Sequence, residues 1–147
     1  MPAAFFDLDG TLFTGHIWQG LVEHHRARRT HRTLAYAYLG AHMGLWLLHL
    51  ARIVKEEPFY AAWVRHMPWL MAGFSEDEGQ AVFRRLCDDY VLPRLRPDVM
   101  ETVRQHQAEG RPVVLVSGTF QEMLEVIAEP LELRGAVGTR LRLKNGR

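Results

Sequence analysis

The chain has 147 residues, enough for one domain or for a small core with an insertion. A formal net charge of +1 at pH 7 argues against general nucleic-acid binding, and an apolar content of 48% allows a sizeable core. A single cysteine, Cys87, excludes an internal disulfide framework. No basic leader precedes the first apolar run, so we expect a cytoplasmic location.

The first predicted element is an apolar run from Ala3 to Phe6 that ends in two acidic residues and a Gly-Thr turn. Such a run without polar alternation is typical of a strand buried on both faces of a parallel sheet. Asp7 and Asp9 follow at the carboxyl end, where open α/β sheets bind ligands. Because two close carboxylates repel each other, a cation such as Mg²⁺, which prefers oxygen ligands, would stabilise the pair. Asp-Gly is also typical of a hairpin turn, an alternative that these residues alone leave open.

The segment from His16 to Arg32 is predicted to form a helix with one apolar face. We expect His24 and His25 to lie on a solvated face, because no cysteine or acidic partner has metal-ligand spacing. Four arginines follow within a short basic run, which is typical of a solvated helix end and alternatively of a surface that attracts anionic lipid or substrate. These arginines are Arg26, Arg28, Arg29 and Arg32.

Residues 33–51 carry no formal charge and are rich in leucine and aromatic side chains. Their number reaches the threshold of roughly 18 residues for a membrane span. Against a span stand four residues inside the segment and one at its end, namely His42, His49, Gly40, Gly44 and Arg52. Basic residues flank both ends, so the segment does not specify an orientation in a membrane. Three interpretations stay open: a buried cap helix, which we favour, contact of residues 34–54 with a membrane surface or a lipid, and a true span.

Two further helices are predicted before the next apolar run. Ser75 and Glu78 have the spacing of a capping box, which predicts a helix that continues to about Tyr90. A second helix is predicted from Asp98 to Gly110, with the glycine ending it.

A second apolar run, from Val113 to Val116, is again predicted as a buried parallel strand. Ser117-Gly118-Thr119-Phe120 follows as a turn, and a helix is predicted from about Gln121 to Glu129. A strand, a small hydroxyl turn and a helix start present backbone N–H groups and a hydroxyl to an anion, although an ordinary turn has the same pattern. Ala136 to Leu143 alternates like an exposed strand, and a hairpin turn is predicted from Lys144 to Arg147.

Phe6-Asp7-Leu8-Asp9-Gly10-Thr11-Leu12 resembles the first motif of the haloacid dehalogenase superfamily of Mg²⁺-dependent phosphohydrolases. The strand that ends at Ser117 resembles the second motif, and the order of elements is similar to the phosphoserine-phosphatase-like branch. The resemblance implies an α/β fold with a Rossmann-like parallel sheet core, here incomplete, and an inserted α-helical cap. The core would comprise residues 1–14 and 93–147, and the cap residues 15–92.

The resemblance also implies roles for five residues. Asp7 would be the nucleophile that forms an aspartyl-phosphate, and Asp9 would be the general acid and base. Both aspartates would hold Mg²⁺, Asp9 through its backbone carbonyl. Ser117, Gly118 and Thr11 would bind the phosphate. The implied activity is Mg²⁺-dependent hydrolysis of a small or amphipathic phosphate monoester.

This sequence departs from the family pattern in two respects. The motif III lysine and the motif IV acidic pair normally lie beyond the glycine-rich hairpin, and Lys144 is a poor candidate for that lysine. We therefore expect a fragment that hydrolyses phosphate esters weakly or not at all by itself. His16 stands nine positions after Asp7, where phosphoserine phosphatases carry an acidic residue, which favours a more apolar ester over phosphoserine.

Other functions stay open at this stage. One alternative is a lipid phosphate phosphatase at a membrane surface, similar to enzymes that act on phosphatidylglycerophosphate. Others are an inactive or binding domain of the same fold, a phosphotransferase, and a domain joined to an acyltransferase. The sequence leaves the oligomeric state and the natural substrate open.

Overall fold

The computed structural model describes residues 2–142, apart from the side chains of residues 56–60. Its strands and α-helices follow a strand–helices–strand–helix–strand order. They are β1 (Ala4–Phe6), α1 (Ile17–Arg28), α2 (Arg32–Leu50), α3 (Glu56–His66), α4 (Glu76–Leu86), α5 (Pro97–Ala108), β2 (Val113–Phe120), α6 (Gln121–Ala128) and β3 (Gly135–Thr139). A π-helical turn, Cys87–Val91, continues α4. The predicted mixed α/β class is confirmed.

The three strands form one parallel sheet in the order β1-β2-β3. Phe6 pairs with Leu115, and Val116 pairs with Val137. Since all three strands run in the same direction, their carboxyl ends meet at one edge of the sheet. The predicted parallel sheet is therefore confirmed, and the residues that follow β1 and β2 lie at a common edge.

Two helices pack against the same face of this sheet. His106 of α5 makes an edge-to-face contact with Phe6, with ring centroids 6.0 Å apart. Leu124 of α6 lies against Gly138, where a Cβ atom would be 2.7 Å from Leu124 Cδ1. Phe6 and Gly138 both point to this face, because strand residues alternate between the faces and the β1–β2–β3 register aligns them.

The opposite face of the sheet carries exposed apolar side chains. Phe5 is 67% exposed, Val116 37% and Val137 56%. The expectation that the first two strands are buried on both faces is wrong for this face. The physical reason is that α5 and α6 both cover the other side, and within residues 2–142 β1 is an edge strand.

The chain divides into two compact units, Met1–Gly20 with Phe74–Arg147, and Leu21–Gly73. The first unit contains the sheet together with α4, α5 and α6, and α4 packs against α6. The predicted division into a core of residues 1–14 and 93–147 and a cap of residues 15–92 stays a prediction.

Local capping signals in the first unit follow the sequence closely. The Ser75 hydroxyl accepts a hydrogen bond from the N–H of Glu78 at 3.3 Å, and the Ser75 N–H donates to Glu78 Oε2 at 2.8 Å, which confirms the capping box. Gly110 adopts a φ of 71°, a left-handed conformation that favours glycine and ends α5. The predicted strand to Leu143 stops at Thr139, and the turn predicted from Lys144 to Arg147 lies outside the described residues.

The second unit is built on α2. Its buried side includes Tyr38, whose hydroxyl donates to the Trp63 carbonyl at 3.1 Å, and His42, whose Nδ1 lies 2.7 Å from the Tyr38 carbonyl. The other side of α2 is exposed, so the favoured expectation of a buried helix is wrong over its outer half. The span is not supported either, since no described helix combines the length and apolarity needed to cross a membrane.

The predicted helix from His16 to Arg32 is interrupted after Arg28. Arg29 and His31 adopt left-handed conformations, with φ of 57° and 44°, before α2 begins. His25 lies inside the unit and is fully buried, so its predicted solvated position is wrong.

Contacts explain the burial of His25. Its Nε2 lies 2.7 Å from the Leu70 carbonyl, and its Nδ1 lies 3.2 Å from the Thr30 hydroxyl. A neutral ring with the proton on Nε2 satisfies both contacts, because it donates to the carbonyl and can accept from the hydroxyl. Burial lowers the pKa of His25, which favours this neutral form.

Candidate active site

The loop after β1 wraps around one backbone carbonyl. The Leu8 carbonyl accepts hydrogen bonds from the N–H groups of Thr11 and Leu12, at 3.3 and 3.0 Å. Leu8 and Leu12 are fully buried and anchor the loop in the core. Gly10 has a φ of 74°, and its N–H donates to the Gly15 carbonyl at 3.1 Å. The chain then enters α1, so the hairpin that the Asp-Gly pair also allowed does not form.

Asp7 follows directly after β1 and is exposed. The hydroxyl of Thr11 donates to Asp7 Oδ2 at 2.9 Å. This bond orients the carboxylate while solvent and ligands can still reach it. Thr11, predicted to bind phosphate, is therefore already bonded to the predicted nucleophile.

Asp9 is half-buried and lies at the start of α1. Its Oδ1 accepts a hydrogen bond at 2.8 Å from the N–H of Ile17, the first residue of that helix. The pKa of Asp9 is raised above its ordinary value, mainly because the carboxyl is buried. The Ile17 hydrogen bond and His16 lower this pKa, and the nearby Asp7 raises it further, but burial has the largest effect. The two aspartates therefore have different environments although they are two residues apart.

Two residues near Asp9 were not assigned a role there from the sequence. Ile17 donates the backbone bond, and the charge that His16 carries when protonated lowers the pKa of Asp9. The helix predicted to start near His16 was the only sequence signal for these contacts. The loop that joins Asp9 to this helix has no sequence pattern that predicts its path, so the contacts could not be predicted.

The second predicted site lies within an irregular part of β2. The strand continues to Phe120 rather than ending at Val116, so the predicted turn over residues 117–120 is wrong. The pairing with β3 shifts register between Val116 and Phe120, as expected of a β-bulge. Within it, the Ser117 hydroxyl accepts from the Thr119 N–H at 3.4 Å, and the Gly118 carbonyl accepts from the Thr139 hydroxyl at 3.1 Å.

The register of the sheet brings the two predicted sites to one edge. Phe6 pairs with Leu115, so Asp7 comes one residue beyond the last pair on β1 and Ser117 two residues beyond it on β2. Both therefore lie toward the carboxyl edge of adjacent parallel strands, where ligands bind in sheets of this kind. The roles assigned to these residues stay predictions.

The oxygen atoms at this edge are suited to bind a hard metal ion. Mg²⁺ is commonly bound by one or two protein carboxylates, with water and substrate phosphate completing its octahedral shell. The accessible Asp7 carboxylate and the Asp9 backbone carbonyl are oxygen donors of that type. Where side chains are described, no group of three or more histidine, cysteine or acidic residues could hold a metal ion.

A cavity of about 690 Å³ lies elsewhere in the first unit. Its lining includes Gln107, Arg111, Val113 and Arg134. Val113 begins β2, so the cavity is at the amino end of this strand, opposite to the edge with Asp7. It does not belong to the candidate site.

Comparison with known proteins connects this geometry to a family. A family described as haloacid dehalogenase-like hydrolase matches residues 4–147. The phosphoserine phosphatase SerB1 of Mycobacterium tuberculosis is 31% identical over 143 residues, an alignment that covers 93% of this chain and 44% of that protein. The chain thus spans less than half the length of this curated relative.

Two solved structures share the fold. A protein of unknown function from Bordetella pertussis Tohama I has a TM-score of 0.74 at 22% identity, with 99% of this chain and 63% of that chain covered. A phosphoserine phosphohydrolase-like protein from Francisella tularensis has a TM-score of 0.60 at 14% identity, with 99% and 61% covered. At these identities the likeness concerns the fold alone.

Proposed function

Because the chain belongs to the haloacid dehalogenase-like hydrolase family, we propose that it is a Mg²⁺-dependent phosphomonoester hydrolase. The match over residues 4–147 confirms the family predicted from the two motifs, and the similarity to a phosphoserine phosphatase supports the predicted branch. The observation that carries the proposed activity is the pair of unlike aspartates after β1. Asp7 is exposed and oriented by Thr11, whereas Asp9 is half-buried and bonded to the start of α1.

In the first step, an oxygen of Asp7 attacks the phosphorus atom of the ester. The bond between phosphorus and the Asp7 carboxylate forms as the bond to the alcohol oxygen breaks. The hydroxyl of Thr11 donates to Oδ2, which leaves Oδ1 as the attacking oxygen. Asp9 gives its proton to the leaving alcohol oxygen, and the product of the step is an aspartyl-phosphate on Asp7.

In the second step, Asp9 accepts a proton from a water molecule, which attacks the phosphorus of the aspartyl-phosphate. The Asp7 carboxylate leaves, inorganic phosphate is released, and Asp9 is again protonated. The Ile17 N–H holds the Asp9 carboxyl in one orientation for both transfers. Mg²⁺, when bound by the Asp7 carboxylate and the Asp9 carbonyl, supplies positive charge beside the phosphate oxygens.

The phosphate group also needs hydrogen-bond donors. We assign this role to the Ser117 hydroxyl and the Gly118 N–H, which lie on β2 toward the same edge as Asp7. Donors fixed in a strand stabilise the charge on the equatorial oxygens without reorganising during transfer. The β-bulge is a suitable place for them, because the register shift interrupts regular pairing with β3 there.

The substrate is proposed to be a small or amphipathic phosphate ester. His16 occupies the position at which the resemblance implies an acidic residue for binding the serine head group. It is exposed, and when protonated it would repel an ammonium group. A substrate without a cationic head is therefore preferred over phosphoserine.

The test is a phosphatase screen on the 147-residue chain and on any longer natural form of it, with and without Mg²⁺. Phosphoserine, glycerol phosphate and a lipid phosphate monoester serve as substrates. Asp7→Asn should abolish phosphate release, and Asp9→Asn should lower kcat about 10²- to 10⁴-fold. Asp88→Asn, an exposed aspartate on the π-helical turn, is the matched control and should leave the rate unchanged.

Two results would overturn the proposal. One is the absence of Mg²⁺-dependent phosphate release from every ester by every form of the protein tested. The other is normal turnover by Asp7→Asn. Tight binding of an ester without turnover would instead support the alternative of a binding domain with this fold.

A further inference from the structure

The outer side of α2 is apolar and exposed. Tyr36, Met43, Leu47 and Leu50 recur at intervals of seven, four and three residues, which places them on one side of the helix, turned away from the side with Ala35, Tyr38 and His42. These four side chains are 50–58% exposed. Ile53, just after the helix, is 70% exposed, and Trp46, on the side of Tyr38 and His42, is 45% exposed.

Among the described residues, nothing packs closely against two positions in the middle of this helix. A Cβ atom added to Gly40 or Gly44 would meet no atom within 4 Å. We call the side of α2 from Tyr36 to Leu50 the apolar strip. The helix has 19 residues and is about 28 Å long, so the strip runs along most of its length. Surface helices normally carry charged residues on their outer side, whereas Thr33 to Ala51 contains none.

Positive charge flanks the strip at both ends. No acidic residue occurs between Glu23 and Glu56, and six basic residues do. All six are exposed, and no ion pair joins them to an acidic side chain whose position is described. They are Arg26, Arg28, Arg29 and Arg32 before the strip, and Arg52 and Lys55 after it.

The first basic group directly borders the apolar strip. Arg32 begins α2 and stands four residues before Tyr36, so the two lie on the same side of the helix, and Arg32 lowers the pKa of the Tyr36 hydroxyl. Arg52 and Lys55 follow the last turn of α2. The apolar strip and the charges therefore form one surface within the unit Leu21–Gly73.

We propose that this surface of α2 docks the protein on an anionic lipid bilayer, with the helix lying in the membrane plane. The apolar side chains enter the boundary between headgroups and acyl chains, and the basic residues pair with anionic headgroups. A second copy of the chain fits the surface less well, because it would bring two positive surfaces together without acidic partners. The proposal does not depend on the phosphatase chemistry.

Flotation of the full chain with vesicles tests this docking. We expect the protein to float with phosphatidylcholine vesicles that contain about 30% phosphatidylglycerol, and not with pure phosphatidylcholine. Binding should fall steeply between about 0.05 M and about 0.5 M salt, because exposed charges are screened.

Matched variants assign the binding to this surface. Leu47→Ser should weaken binding about tenfold, whereas Val137→Ser, at nearly the same exposure (57% against 56%), should change it less than about twofold. The double variant Arg28→Gln/Lys55→Gln should weaken binding about 25-fold, at about fivefold per charge. Its control, Arg84→Gln/Arg104→Gln, removes two exposed arginines from the first unit and should leave binding nearly unchanged.

Three results would overturn the inference. The first is no flotation with anionic vesicles at low salt. The second is vesicle binding that neither Leu47→Ser nor the charge variant weakens. The third is a dimer, seen by light scattering, that Leu47→Ser dissociates while lipid binding is absent, which would mean that a second copy covers the strip.

Discussion

Replacing Gly138 with alanine should destabilise the sheet unit, because the new methyl group has no space. A Cβ atom at this position would lie 2.7 Å from Leu124 Cδ1 and 2.8 Å from the Thr119 carbonyl oxygen. The carbonyl belongs to β2 and cannot rotate away, and Leu124 is fully buried in α6. Overpacking of this kind costs about 1–3 kcal/mol, and two blocked directions favour the upper half of that range.

The assay is equilibrium unfolding in urea, followed by thermal unfolding. A loss of about 2 kcal/mol should lower the melting temperature by about 4–8 °C in a chain of this size. Gly44→Ala is the matched control in α2, since its methyl group meets no atom within 4 Å and replaces a glycine inside a helix. That change should raise stability by about 0.5–1 kcal/mol. Equal midpoints for Gly138→Ala and the wild type would refute the described packing of α6 on β3.

Two further predictions concern hydrogen bonds. Burial lowers the pKa of His25, so below about pH 6.5 the unfolded chain binds more protons than the folded chain. The contribution of His25 to the free energy of unfolding is therefore complete above about pH 6.5 and decreases as the pH falls. The free energy of unfolding should be measured for wild type and His25→Gln at about pH 8 and about pH 5.5, and the difference between the two proteins should be smaller at the lower pH. A difference that is the same at both pH values would contradict a neutral His25 ring. Ser75→Ala removes the acceptor for the Glu78 N–H in the capping box and should lower the free energy of unfolding in urea by about 1 kcal/mol. An unchanged urea midpoint would contradict the capping box.

Local sequence signals were sufficient for several elements. The first strand, the capping box at Ser75 and the end of α5 at Gly110 each depend on residues within a few positions of one another. The motif from Phe6 to Leu12 identified the family for the same reason, since its residues form a single loop around the Leu8 carbonyl. Patterns of this length can be recognised without knowledge of the remaining chain.

Other features depend on partners that the sequence does not announce. The burial of His25 depends on the Leu70 carbonyl, 45 positions later, which accepts a hydrogen bond from its ring. The exposure of Phe5 depends on which face of the sheet α5 and α6 cover. The break between α1 and α2 relies on Arg29 and His31 in left-handed conformations, which neither residue type predicts.

The spacing of Asp7 and Asp9 shows why the motif needs its loop as well as its carboxylates. In a continued strand, residues two apart would point to the same side and meet the same environment. The strand ends at Phe6, however, and the buried Leu8 draws the chain into a turn. Asp7 is thereby left exposed beside Thr11, while Asp9 is carried to the N–H of Ile17. The turn therefore gives two identical side chains unlike surroundings, and unlike surroundings are what the separate roles proposed for a nucleophile and a proton carrier require.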